Sequence, residues 1–340
     1  MSILVTGSSG FIGFHLSKRL LELGEKVIGY DNLNDYYDIK LKLARNDYLK
    51  NLSNNKSYKY NFLKEDLENK EKLQDIFNKF DINIVVNLAA QAGVRYSIKN
   101  PKIYLDSNIV GSFNIFEAAK RFKVKHLILG SSSSVYGANK KIPFSEFDKA
   151  DNQVSFYAAT KKSMENLAHS YSSLWKLPIT ILRFFTVYGP WGRPDMAYFK
   201  FTKNILNRKK IEIYNKGKMY RDYTYIDDVV DGIFKLTNKI PNLSSKKKYK
   251  KDTLSEVAPI RVLNIGNTKK VLLLNFIKTL EKELGIKALK KLMPMQKGDV
   301  YKTHSDTKLL KKISGYNPKT RYQKGIKSFV NWYLEFYKYN

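Results

Sequence analysis

The chain is predicted to be an α/β protein, a doubly wound parallel sheet of the Rossmann type with a smaller C-terminal α/β domain. Three observations predict it. Short apolar segments alternate with amphipathic helical stretches, as in a parallel sheet covered on both faces. A glycine-rich turn, TGSSGFIG at 6–13, joins the first strand to the first helix. Every cluster of chemically interesting residues falls just after an apolar strand, at the sheet edge where ligands bind in such folds.

Residues 2–5 read as a buried strand, and Gly7, Gly10 and Gly13 lead into the periodic run Phe11, Ile12, Leu16, Leu20 and Leu21. The spacing is GxxGxxG. Gly7 supplies the tight turn, Gly10 lets backbone approach a pyrophosphate, and Gly13 lets helix and strand pack closely, with the helix N-terminus facing the phosphates. Gly24 ends the helix, and 26–30 form a second strand closing on Asp31, whose carboxylate can accept from a ribose 2′-hydroxyl. Its neighbours Asn32 and Leu33 offer no cation for a 2′-phosphate, which predicts NAD over NADP. Further strands are expected at 57–62, 84–88, 125–130 and 177–183, separated by helices such as 70–78 and 104–122. The candidate ligand edge is therefore 7–13, Asp31, Asp66, 89–95, 131–134 and 185–193.

Tyr157 and Lys161 stand at i and i+4 in a helical stretch, on one face. A free phenol titrates near about 10, so it needs a neighbouring positive charge to act as a base at neutral pH. Lys161 and an oxidised nicotinamide would supply it, and Ser132 would orient the same substrate hydroxyl. Base, tuning cation and orienting donor together point to hydride transfer.

Composition narrows the alternatives. The 340 residues are 43% hydrophobic, enough for a large core. There are no cysteines, which removes disulfides, thiolate catalysis and Cys-based zinc sites and fits a reducing cytoplasm. A strand starting at residue 2 leaves no room for a signal peptide, and no apolar run approaches membrane-spanning length, so a cytoplasmic protein with no membrane partner is expected. The net charge of +30 is spread along the chain, mostly as lysine. Its densest cluster, 246–251, lies in a polar stretch at 238–259 expected to be an exposed loop. Steering of an anionic small substrate is favoured over nucleic-acid binding. His15, His126, His169 and His304 lack ligand spacing, so no metal site is expected.

TGSSGFIG, YAATK at 157–161 and the strand-terminal serines resemble the extended short-chain dehydrogenase/reductase family of NAD-dependent epimerases and dehydratases. More narrowly, DNLNDYYD (31–38), NLAAQAGVRYS (87–97), SSSSVYG (131–137), RFFTVYGPWGRPDMA (183–197) and RDYTYIDD (221–228) are similar to the bacterial UDP-glucuronate 4-epimerases. The similarity implies cofactor contacts at Phe11, Ile12, Asn32, Asp66, Leu67, Ala89, Ala90 and Asn108, with adenine near Asp66 and the nicotinamide ribose on Tyr157 and Lys161. It implies substrate contacts at Arg95, Ser133 and Ser134, UDP held by Arg221 and Asp299, and the sugar carboxylate beside Thr186 and Arg193. It also implies a homodimer packed through the helices around 104–122 and 157–175, and a place in nucleotide-sugar supply for surface polysaccharide.

Related dehydratases and decarboxylases carry acidic residues just after the catalytic Ser or Thr. Here those positions are Ser133 and Ser134, which favours 4-epimerisation through a 4-keto sugar. A galactose-type epimerase, a decarboxylase and an NAD-binding protein without turnover are the alternatives. The chain departs from the family pattern at Asn87 (usually His), at Lys297 before Gly298 and Asp299 (usually Pro), and at the apolar 271–277. Residues 1–182 are expected to form the cofactor domain and 183–340 mainly the UDP-sugar domain, with the chain crossing back near Tyr223 and Asn264.

Overall fold

Apolar runs become strands, those at the centre of the large sheet, such as 2–6 and 84–87, buried from end to end, and the periodic stretches between them become helices. In a computed structural model describing residues 1–56, 59–244, 249, 251–296 and 299–339, the first half runs β1 (Ser2–Thr6), α1 (Phe11–Glu22), β2 (Lys26–Tyr30), α2 (Ile39–Lys56), β3 (Tyr60–Leu63), α3 (Lys70–Lys79), β4 (Ile84–Asn87), α4 (Val94–Lys99), α5 (Pro101–Leu105), α6 (Gly111–Arg121), β5 (His126–Ser132), α7 (Phe156–Trp175) and β6 (Ile179–Phe184). The remainder runs β7 (Thr186–Tyr188), α8 (Ala197–Leu206), β8 (Ile211–Ile213), β9 (Tyr220–Tyr225), α9 (Ile226–Thr237), β10 (Ile260–Ile265), β11 (Lys270–Leu272), α10 (Leu273–Leu284), β12 (Lys290–Leu292), α11 (Lys308–Ser314) and α12 (Tyr322–Phe336).

Seven strands form one parallel sheet in the order β10-β6-β5-β4-β1-β2-β3. The order reverses at β1, and the crevice beyond the carboxyl ends of β1 and β4 is where such a sheet binds its ligand. One face is covered by α1 and α9, whose Leu16, Leu20, Val229 and Ile233 share a core. The other is covered by α3, α6 and α7, through residues such as Ile76, Phe116 and Met164. A third core joins α8, α10 and α12 and buries Phe276 and Ile277, which accounts for the apolar character of 271–277. Small sheets β11-β9-β7 and β12-β8 complete the C-terminal part. After β9 the chain returns to pack α9 on the large sheet, and β10 then joins its edge with Asn264 opposite Arg183.

Two expectations are refined. The helix expected over 104–122 is present but not uniform: α5 passes through a π-helical turn, Asp106–Val110, directly into α6. Such turns widen a helix locally to re-aim side chains, and nothing in hydrophobic period signals them. The polar stretch 238–259 is not simply exposed, because Leu254 and Ala258 are buried and Asp252 forms a buried ion pair with Arg261 of β10 at 2.8 Å. The edge strand carries a buried cation, so the loop must bring it a carboxylate. Residues 57–58 of the expected third strand, Lys246–Lys248 and Lys250 of the lysine cluster, and Lys297 and Gly298 lie outside the described residues. Among the described residues no helix is long and apolar enough to cross a membrane, and no His/Asp/Glu group could hold a metal ion.

Candidate active site

A cleft of about 1170 Å³ runs along the carboxyl edge of the large sheet. At its floor, Gly7 has φ +68°, and a Cβ there would stand 2.8 Å from the Ala89 nitrogen. A Cβ on Gly13 would stand 2.0 Å from the Gly7 carbonyl oxygen, so Gly13 permits the loop to fold onto its own helix. Thr6 sits beneath: its hydroxyl donates to Asn87 Oδ1 at 2.6 Å and accepts from the Leu88 and Ala89 amides at 3.1 Å. Asn87 thus takes up a structural role in this chain.

Asp31 lies at the end of β2, its carboxylate accepting from the Ser9 amide at 3.0 Å and the Leu33 amide at 2.8 Å. Burial raises its pKa against the pull of those amides and of Lys42 and Arg45. Asn32 donates to Asp66 Oδ2 at 2.9 Å, and Phe11, Ile12, Leu67, Ala89 and Ala90 line the same cleft. Asn108 is the exception among the expected cofactor residues. It lies in the π-helical turn behind the lining, bonded to both backbone groups of Gln91 at 2.8 and 3.0 Å and to Thr160 Oγ1 at 3.0 Å. It shapes the 89–95 loop and does not face the cleft.

Ser155 caps α7 by accepting from the Ala158 amide at 3.1 Å, which starts the helix at Phe156 and puts Tyr157 in its first turn. The Ser132 hydroxyl acts on the Tyr157 phenol across the cleft floor and accepts from the Ser134 amide at 3.1 Å. Burial raises the phenol above its ordinary value, with the Ser132 hydroxyl and the Arg193 charge opposing. Lys161 lies one helical turn from Tyr157, on the same cleft. Its Nζ donates to the Gly130 carbonyl at 2.7 Å, and burial pushes it down to about 8 while Glu165, one turn on, pulls it back up. Position i+4 shares a face but does not fix where a long side chain ends.

Toward the other end, Arg193 is gripped side-on by Asp195 at 3.0 and 2.6 Å, and Tyr36 donates to the same carboxylate at 3.2 Å. Burial alone would raise Asp195, but the charge and hydrogen bonds of Arg193, with Tyr36, bring it below the usual range. The Nη1 group of Arg193 makes no hydrogen bond among the described residues. Thr186, Ser133 and Ser134 line the wall nearby. At the mouth, Arg221 donates to Asp299 at 2.7 Å, and Arg95 lies 3.7 Å from the other Asp299 oxygen. The lining also carries Lys42, Lys99, Lys200 and Lys210.

Sequence reasoning missed Asp195, Tyr36, Arg45 and the buried pair Arg183–Glu165, joined at 2.7 and 2.9 Å with Ser131 on the same carboxylate. Tyr36 and Asp195 stood in the quoted motifs, but their pairing spans 159 residues.

A sequence model of the NAD dependent epimerase/dehydratase family matches residues 3–250. The chain is 47% identical over 340 residues to a probable UDP-glucuronate 4-epimerase of Rhizobium meliloti, covering 99% of this chain and 98% of that one. It is 45% identical over 342 residues to UDP-glucuronate 4-epimerase 4 of Arabidopsis thaliana, covering 99% and 76%. Its structure is similar to that of UDP-glucuronic acid 4-epimerase from Bacillus cereus in complex with UDP-glucuronic acid and NAD, with a TM-score of 0.87 and 33% identity over 99% of this chain and 100% of that one.

Proposed function

The chain belongs to the NAD dependent epimerase/dehydratase family, and on that premise we propose that it interconverts UDP-glucuronate and UDP-galacturonate by NAD-dependent epimerisation at C4. The observation that carries this reading is the meeting, in one cleft, of Ser132 and Tyr157 with an arginine, Arg193, whose Nε and Nη2 are held by Asp195 while Nη1 has no hydrogen bond among the described residues.

The glycine loop, crowded where any Cβ would sit, and the carboxylate of Asp31 fit a dinucleotide. Bound NAD supplies the acceptor for the C4 hydride and gives it back. Tyr157 removes the 4-hydroxyl proton and later returns it, Ser132 orients that hydroxyl, and Lys161 contributes positive charge near the ring. Arg221 and Asp299, with the lysines of the lining, hold the diphosphate and nucleoside, so that affinity resides away from the reacting ring and the sugar is free to present either face.

A 4-keto glucuronate is a β-keto acid and loses carbon dioxide when its carboxylate bond overlaps the carbonyl. Arg193 and Thr186 keep that carboxylate ionised and turned away. Ser133 and Ser134 offer no carboxyl group for dehydration. Incubation with UDP-glucuronate, followed by proton NMR, is expected to give UDP-galacturonate. A UDP-pentose as main product, or turnover of UDP-galactose in preference, would overturn the assignment.

In the same reading, residues 1–182 form the cofactor domain and 183–340 mainly the substrate domain, a division supported by the return of α9 and β10 to the large sheet. The protein is a cytoplasmic homodimer joined through α6 and α7, whose outer faces expose Phe113 (42%) and Leu174 (69%).

A further inference from the structure

Arg45 of α2 has no part in the chemistry above, yet its side chain is 0% exposed. Among the described residues no carboxylate forms an ion pair with it and its Nε has no partner. A buried guanidinium with no carboxylate in contact is costly; the Asp31 charge acts on it only from a distance, and its direct compensation comes from oxygens aimed at it. Nη1 donates to the Ser9 carbonyl and the Tyr37 hydroxyl, both at 2.8 Å, and Nη2 donates to the Trp191 carbonyl at 2.6 Å and the Gly192 carbonyl at 3.1 Å. One side chain therefore ties the dinucleotide loop to the turn that immediately precedes Arg193.

That turn is held under tension. Gly189 has φ +148° and Trp191 has φ +58°, an unusual conformation for a bulky residue that survives only where surroundings enforce it. His15 of α1 supplies a second hook, with Nε2 3.0 Å from the Pro190 carbonyl; burial pushes this histidine down to about 3, so it is neutral. The Trp191 ring packs on Phe14 of α1, with centroids 5.2 Å apart. Ser9 meanwhile donates its own amide to Asp31. The path Asp31–Ser9–Arg45–Gly192–Arg193 is thus covalent or hydrogen-bonded throughout.

We propose that Arg45 is a positioning residue that holds the Arg193 turn in register with the dinucleotide loop, so that the grip on the substrate carboxylate depends on it. The inference rests on the carboxylate role given to Arg193 above. Losing Arg45 leaves four oxygens unpaired and lets the turn relax, which displaces the Arg193 fork without touching the groups that hold UDP.

The test compares Arg45→Gln and the charge-conserving Arg45→Lys with the parent protein carrying NAD. Amide hydrogen exchange in a peptide covering 188–198 is expected to accelerate about tenfold in Arg45→Gln and less in Arg45→Lys. With UDP-glucuronate, kcat/KM is expected to fall about tenfold or more and the fraction of UDP-pentose to rise severalfold, while affinity for UDP itself stays within about twofold. Unchanged exchange in folded Arg45→Lys and Arg45→Gln would overturn the anchoring role. Faster exchange with unchanged product partition, or UDP affinity lost in parallel, would overturn the link to the carboxylate. If the parent protein does not turn over UDP-glucuronate, the functional reading fails, and the exchange experiment still decides whether Arg45 anchors the turn.

Discussion

Burial and the Asp195 charge raise the Tyr157 phenol, and Ser132 and the charge of Arg193 oppose them. The phenol's proton transfer has no visible substitute, so Tyr157→Phe is expected to lower kcat by at least about a thousandfold while leaving NAD and UDP-glucuronate binding intact. Stopped-flow and calorimetry on the same sample would separate the two effects; residual turnover within tenfold would exclude the phenol as base. Glu146 makes a different prediction. Burial raises it from an ordinary 4.5 to about 7, with Asp306 adding to the rise and the Asn264 amide opposing it. The folded protein then holds this proton more tightly than the unfolded chain does. The resulting stability is present below about pH 4.5 and is lost as pH climbs through 7. Glu146→Gln keeps an oxygen for the Asn264 amide, which Glu146 Oε1 accepts at 2.8 Å, and removes the titration. Its melting temperature is expected to exceed the parent's by on the order of 2 °C at pH 8, with the gap closing toward pH 5. A pH-independent difference between the two melting curves would contradict this.

The junction of β1 and α1 shows how an element depends on a single missing atom. With Gly7 O only 2.0 Å from a Gly13 Cβ, the helix and loop cannot both keep their places if that carbon is added. Gly13→Ala is expected to lose retained NAD, measured by absorbance after denaturation and gel filtration. A fully loaded variant would show that the loop tolerates displacement. The glycine spacing was legible because turn, phosphate approach and close packing are all local demands on backbone. The π-helical turn before α6 was not, since the side chain it aims, Asn108, meets Gln91 and Thr160 only after three segments have packed.

At the scale of the whole molecule, α6 and α7 expose Phe113 and Leu174, and α5 and the π-helical turn expose Leu105 and Val110, large apolar residues on the covering layer of the sheet. Pairing of two such faces is the expectation, and sedimentation should return a dimer that Phe113→Glu converts to monomer with its fold retained. A monomeric parent protein at micromolar concentration would refute it.

The chain's own order of residues determined the alternation of strands and helices, the glycine loop, the acidic end of β2 and the spacing of Tyr157 and Lys161, because each is set within a few residues by backbone period and turn chemistry. Tertiary structure alone decided that Lys161 ends on the Gly130 carbonyl, that Asp195, itself bonded by Tyr36, holds Arg193, and that Arg45 spans from Ser9 to Gly192. These are contacts of long, flexible or buried charged side chains. Their partners are chosen by which segments meet in space and by the need to compensate charge out of water, and neither is encoded at any fixed distance along the chain.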